Sequence, residues 1–194
     1  MTRRVKILLV VLAVGVAAMG YYALRLKRQA ERLPVRALDT RPITAPISGP
    51  AERVTLFVAS DHDGMLHRES TAIAVPADAN ERARQILRAL FSVYLQKNSP
   101  HPLGSGADVK YVFLVQPNMA IVDTNAAFAE SHRSGILVEQ LTVASMARTL
   151  AANFPGMIRV KILVDGKERE TLAGHADLAD FYDTAAGEQF PVAE

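Results

Sequence analysis

The longest apolar run in the chain is ILLVVLAVGVAAMGYYAL, residues 7–24, without a single charge. As a helix it rises roughly 27 Å, close to the hydrocarbon thickness of a bilayer. Arg3, Arg4 and Lys6 precede the run, and Arg25, Lys27, Arg28 and Arg32 follow it. Tyr21 and Tyr22 sit where aromatic side chains meet headgroups. The pattern predicts a short basic tail (1–6) and an uncleaved transmembrane anchor (7–24). Val16-Ala17-Ala18 offers small residues for signal-peptide cleavage, yet the run outlasts the apolar core of about 7–15 residues usual in cleaved signals. Basic flanks on both sides leave the orientation open on charge alone. Ala13 and Ala17 form a small-xxx-small pair, so helix association and oligomerisation stay open.

Residues 25–51 are basic and then Pro-rich. PVRALDTRPITAPISGP (34–50) carries four prolines, which prevent regular helix or a central strand. This stretch reads as a semi-rigid stalk reaching on the order of 50 Å if extended, or as a loop packed on the domain C-terminal to it.

From residue 52 the hydrophobic period changes repeatedly. RVTLFVAS (53–60) and MLHRESTAIAV (65–75) read as strands around a DHDG turn (61–64). Asp78 and Glu81 have the form of a capping box. Ala83, Ile86, Leu87, Leu90 and Tyr94 then recur at helical spacing, with Arg82, Arg84 and Arg88 facing elsewhere. NSPHPLGSG (98–106) breaks the helix. DVKYVFLVQ (108–116) and MAIVDT (119–124) form a second expected hairpin around Pro117-Asn118. A longer helix is expected over 134–154, with Ile136, Val143, Met146, Ala147 and Leu150 as its buried stripe and Phe154-Pro155-Gly156 as its stop. IRVKILV (158–164) alternates as a strand, Asp165-Gly166 turns, and a last short strand is expected over 168–172. The order is ββ-α-ββ-α-β(β). It predicts an α+β domain: a mixed, mostly antiparallel sheet of about five or six strands, with two helices packed on one face. The domain is expected over 52–178, followed by a C-terminal tail (179–194).

Charge sharpens this division. Residues 1–36 hold eight Lys/Arg against one acid, while the remainder holds 14 Lys/Arg against 19 Asp/Glu. The pI of about 9.0 therefore belongs to the N-terminus, and the folded part is mildly acidic. A nucleic-acid partner, which needs a basic face, is not expected. Cys is absent, which excludes disulfides, thiolate metal sites, a Cys nucleophile and a lipidated N-terminal Cys.

Candidate chemistry is sparse. His62, His67, His101, His132 and His175 form neither H-x-x-x-H nor H-E-x-x-H. Asp61-His62-Asp63-Gly64 departs from calcium-loop spacing. Ser131 and His132 are adjacent, so their side chains diverge, and Gly104-Ser105-Gly106 is too short to cradle a phosphate. No catalytic residue, cofactor or metal is assigned. In ILVDGKERETLAGHADL (162–178), Asp165 and Gly166 read as a hairpin turn. Gly174 permits a bend at which His175 packs or hydrogen-bonds. The other readings are a partner contact through His175 and Asp177, or a base or metal site formed by that pair with a third group such as Asp123.

Four segments carry a family resemblance. They are VTLFVASDHDGML, the first helix with ILRALF leading to LGSGADV, NMAIVDTNAAF, and the tail LTVASMARTLAANFPGMIRVKILVDGKERETLAGHADL. The tail is the most specific, with a helix ending in Phe-Pro-Gly, a β-branched strand, Val-Asp-Gly and Gly-His-x-Asp. Over residues 52–178 the chain resembles the GerMN domain, first named from sporulation and spore-germination proteins. The resemblance implies a non-catalytic binding and assembly domain of the bacterial envelope. Such a domain stands on the extracytoplasmic side of the cytoplasmic membrane, here on a single pass, and contacts an envelope protein or peptidoglycan. The chain departs from the family in lacking a lipid-anchor Cys and a second tandem copy. The alternative function is an envelope hydrolase working through His175 and Asp177, and a cytoplasmic orientation is the alternative placement.

Overall fold

The computed structural model describes residues 50–76, 78–115, 118–185 and 190–193. The expected anchor (7–24), the stalk up to residue 49 and Pro117 of the second turn lie outside the described residues. Among the described residues no helix is long and apolar enough to cross a membrane.

The first hairpin forms as its alternation dictates. Strands β1 (Ala51–Ser60) and β2 (Met65–Ala74) pair antiparallel, from Ala51 opposite Ala74 to Ser60 opposite Met65. Helix α1 (Ala79–Tyr94) begins where the Asp78 carboxylate accepts the Glu81 N–H at 2.9 Å. The Glu81 carboxylate turns to Arg84 instead of back to Asp78, so half of the capping box forms. All five expected stripe residues of this helix are buried, together with Phe91.

Strands β3 (Val109–Val115) and β4 (Met119–Thr124) make the second hairpin. A short helix that the period had not revealed, α2 (Ala126–Glu130), comes next, its N-cap Asn125 side chain accepting the Phe128 N–H at 3.1 Å. Helix α3 (Ile136–Asn153) is buried over most of its circumference. Val143, Met146, Ala147 and Leu150 are buried as expected, but Ile136 is 62% exposed because it starts the helix at the rim. Strand β5 (Arg159–Val164) returns parallel to β4. The expected strand over 168–172 does not form, and the segment contributes an isolated bridge between Thr171 and Asp177. Its Glu168, Arg169 and Glu170 are exposed, and Leu172 alone is driven into the core. Two-residue strands β6 (Tyr182–Asp183) and β7 (Val192–Ala193) pair beyond residue 178.

These strands form two mixed sheets, ordered β1-β2-β7 and β3-β4-β5-β6, and not the single sheet that the hairpin count predicts. The reason lies at the strand edges. On β1, every second residue turns its backbone away from β2, and helix side chains take those groups. Asn153 accepts the Thr55 N–H at 3.1 Å and donates to the Thr55 carbonyl at 2.6 Å. Thr149 Oγ1 accepts the Phe57 N–H at 2.9 Å, and Tyr94 Oη accepts the Ala59 N–H at 2.8 Å. On β3, Asn80, Arg84 and Arg88, spaced one turn apart along α1, bond the Leu114 N–H and the Lys110 and Val109 carbonyls. With both edges occupied by side chains, the hairpins cannot merge edge to edge. One continuous apolar core joins both sheets to α1 and α3.

Removing the seal tests this account. Asn153→Ala strands both polar groups of Thr55 and is expected to cost about 2–3 kcal/mol. Asn80→Ala, on the exposed β3 edge, is expected to cost under about 1 kcal/mol. Urea unfolding measures both, and equal small losses would show that the β1 edge needs no seal.

Candidate functional site

The loops after β1 (61–64), after α1 (95–108) and before α3 (131–135) are tied together around the first turns of α3, and so is the 172–178 segment. Two buried polar hubs hold them.

The first hub is Glu139, whose side chain is fully buried. Its Oε1 accepts the Gly135 N–H at 3.0 Å and lies 2.8 Å from His175 Nδ1. Its Oε2 accepts the N–H groups of Ala173, His175 and Ala176, each at 2.9 Å. The Gly-His bend is thus a backbone cradle wrapped around a carboxylate. Gly174 sits at φ +122°, a conformation that L side chains rarely adopt, and this aims the N–H groups on either side of it at one point. Leu172, Ala176 and Leu178 pin the segment into the core. Burial alone would raise the Glu139 pKa, but the His175 imidazole and the converging N–H groups outweigh it and hold the carboxyl well below its ordinary range. The His175 ring is 40% exposed.

The second hub is Thr142, one turn further along α3. Its Oγ1 lies 2.6 Å from His101 Nε2 and 2.8 Å from His132 Nε2. His101 Nδ1 meets Asp61 Oδ1 at 2.5 Å, and Arg133 pairs with the other oxygen of the same carboxylate. Asp61, His101 and Thr142 have the connectivity of a nucleophile-base-acid triad. The hydroxyl is fully buried, bonded to the Val138 carbonyl at 3.1 Å and covered by a second imidazole. It braces loops and presents no oxygen to a substrate.

The residues singled out from the sequence are dispersed. Asp165 and Gly166 both adopt positive φ, +51° and +71°, and close a two-residue hairpin between Val164 and Lys167. The Asp123 carboxylate accepts the Gly166 N–H at 2.6 Å, and Lys110 pairs with Asp165 at 3.0 Å. Asp123 therefore serves that turn and does not join His175. Asp177 accepts the Ala179 N–H at 2.7 Å, and the carboxylate at hydrogen-bond distance from His175 is Glu139. Asp63 of the DHDG turn bonds the Met65 N–H and His67, while Asp61 serves the second hub. Gly104 is required because a Cβ there would collide with the Ser131 side chain and carbonyl. Glu139, His101, His132 and Thr142 were not assigned from the sequence. Glu139 had a readable signal: it lies three residues after Ile136 and four before Val143, on the stripe expected to be buried.

The family model for Germane, described as sporulation and spore germination, matches residues 55–170. The chain belongs to this family. The expected GerMN relationship thus holds, and the matched span ends just past the hairpin that carries Asp165 and Gly166. The fold is shared with a solved structure of the family. The tandem GerMN domains of the sporulation protein GerM from Bacillus subtilis are 19% identical with a TM-score of 0.55, over 69% of this chain and 46% of that one. This chain thus spans about half the length of that tandem structure. The first GerMN domain of the same protein is 16% identical with a TM-score of 0.45, over 66% of this chain and 94% of that one. A candidate lipoprotein from Clostridium perfringens is 19% identical with a TM-score of 0.49, over 70% and 89%. No curated protein matches by sequence.

Because the Glu139 pKa is lower in the fold than its ordinary 4.5, its contribution is complete above that value and is lost as pH falls toward the folded value. Glu139→Gln places an amide N–H₂ among donors and is expected to cost about 3–5 kcal/mol at neutral pH. It should also flatten the acid limb of stability against pH. His175→Ala is expected to cost about 1–2 kcal/mol. Denaturant unfolding from neutral to acid pH measures all three, and an unchanged acid limb in Glu139→Gln would refute the assignment.

Proposed function

We propose that this chain is an envelope binding and assembly module of the Germane family. In this reading residues 7–24 anchor it to the cytoplasmic membrane, residues 25–51 form the stalk, and the α+β domain stands on the extracytoplasmic side. The supporting observation is an uncovered apolar strip on the outer face of the second sheet. Tyr111, Phe113 and Val115 alternate along β3 at 55%, 49% and 36% exposure, and the two rings stack with centroids 6.2 Å apart. Across the sheet the same face of β5 is covered at its centre. Lys161 there is buried, donating to the Ala179 carbonyl, with its ammonium 5.7 Å from the centre of the Phe181 ring. Exposed aromatics grouped on one sheet face favour a contact surface. Because α1 side chains occupy the β3 edge, a partner would meet the flat face and not add a strand. A flat π surface suits the apolar face of a sugar ring or the apolar side chains of another protein, so the partner is peptidoglycan or an envelope protein.

The hydrolase alternative has no comparable support, since His175 is engaged with Glu139. Two measurements test the reading. Protease added to spheroplasts should digest the domain, and protection would place it in the cytoplasm. The full chain should co-sediment with purified peptidoglycan or give discrete crosslinks in intact cells. Tyr111→Ser/Phe113→Ser should lower that signal at least about tenfold, as the loss of two anchoring aromatics implies, while thermal melting stays cooperative. Retention of the full signal in the double variant would remove the strip from the proposal.

A further inference from the structure

Two imidazoles converge on one hydroxyl with fewer hydrogens than the geometry requires. Thr142 Oγ1 lies within 2.6 Å of His101 Nε2, 2.8 Å of His132 Nε2 and 3.1 Å of the Val138 carbonyl oxygen. The other nitrogen of each ring faces an acceptor: the Asp61 carboxylate at 2.5 Å for His101, the Arg133 carbonyl at 2.8 Å for His132. A neutral imidazole carries one N–H. In each ring the facing acceptor claims that hydrogen at Nδ1, so both Nε2 atoms are bare and both need a donor. Thr142 has one hydrogen. With both rings neutral, a nitrogen lone pair is left against an oxygen lone pair inside the fold, which is the costly arrangement for a buried polar atom. One added proton removes the conflict. The protonated ring donates from Nε2 to Oγ1, and the Thr142 hydrogen leaves the Val138 carbonyl, an acceptor that needs no second donor inside the helix, for the other ring. A second proton would set two buried cations on rings whose centroids are 6.4 Å apart.

We propose that Asp61, His101, Thr142 and His132 form a one-proton switch. With one proton the chain is complete and holds together the β1–β2 turn, the α1–β3 loop and the segment before α3. Without it, one imidazole withdraws from Thr142 and its loop is released. The charged and titratable groups around the pair come from every neighbouring element. Asp61 and Arg133 form an ion pair at one end, Tyr94 of α1 stands edge-on to His101 at 4.9 Å, and Glu139 of α3 acts on His132 through space. Burial pulls both imidazoles below their ordinary 6.5, and Asp61 partly restores His101. Uptake therefore falls on the acid side of that value: the loops close as pH falls and loosen as it rises. The folded rings hold the proton less tightly than the unfolded chain does, so global stability declines over the same acid window in which the loops close.

Ring-nitrogen NMR of the full chain with labelled histidine, from about pH 8 to about pH 4.5, reads both tautomer and charge across the histidine range. The expected result is a single shared step, one proton for the two rings, with Nδ1–H retained in both throughout. Thr142→Ser keeps the hydroxyl and should keep the shared step, whereas Thr142→Val should split it into two separate titrations. Independent titration in the wild type, a bare Nδ1 in either ring, or no uptake in that range would each overturn the switch. If Thr142→Val does not fold, the wild type and Thr142→Ser decide the matter on their own.

Discussion

The structure depends on a polar stripe along one helix, buried except at its C-terminal end. Glu139, Thr142, Thr149 and Asn153 lie on one face of α3, since their spacing at 100° per residue keeps them within a quarter of the circumference. None of the four faces bulk water as a free side chain. Each reaches groups distant in sequence: Glu139 takes the 173–176 backbone, Thr142 two histidines, Thr149 and Asn153 the edge of β1. In an apolar interior an unpaired polar group costs more than a made bond gains. The stripe therefore specifies where each loop must lie, where apolar packing alone would accept many arrangements.

The same stripe explains how much could be read from the chain. The β1–β2 hairpin, the buried face of α1 and strand β5 were legible because their periods are regular and their caps and turns use the expected residues. Asp78, Asp165 and Gly166 act as the local chemistry requires. The division into two sheets was not legible, because strand edges sealed by Asn153, Thr149, Tyr94 or by Asn80, Arg84 and Arg88 leave no periodic mark. Polar residues in a helix ordinarily signal a solvated face, and α3 inverts that rule. Two-residue strands such as Tyr182–Asp183 are too short to carry a period at all.

His175 illustrates the difference between a motif and a site. Gly-His-x-Asp has the residue types of a base paired with an acid, yet the bend uses its backbone more than its side chains. Three N–H groups within four residues are committed to Glu139, and Asp177 is spent on its own turn. In this chain the motif serves the fold: the carboxylate buried on α3 needs donors, and the bend at Gly174 delivers three of them. The exposed, stacked aromatic side chains lie elsewhere, on the outer face of β3.

The bonds between Thr55 and Asn153 join positions 98 residues apart. A chain that emerges from its N-terminus first exposes β1 long before the residue that closes its edge exists outside the ribosome or the translocation pore. Until then the strand presents unpaired backbone to any neighbouring chain. For this domain the hazardous interval of biogenesis closes in steps along one strand: Tyr94 can cover Ala59 early, whereas Phe57 and Thr55 wait for Thr149 and Asn153 in the last turns of α3.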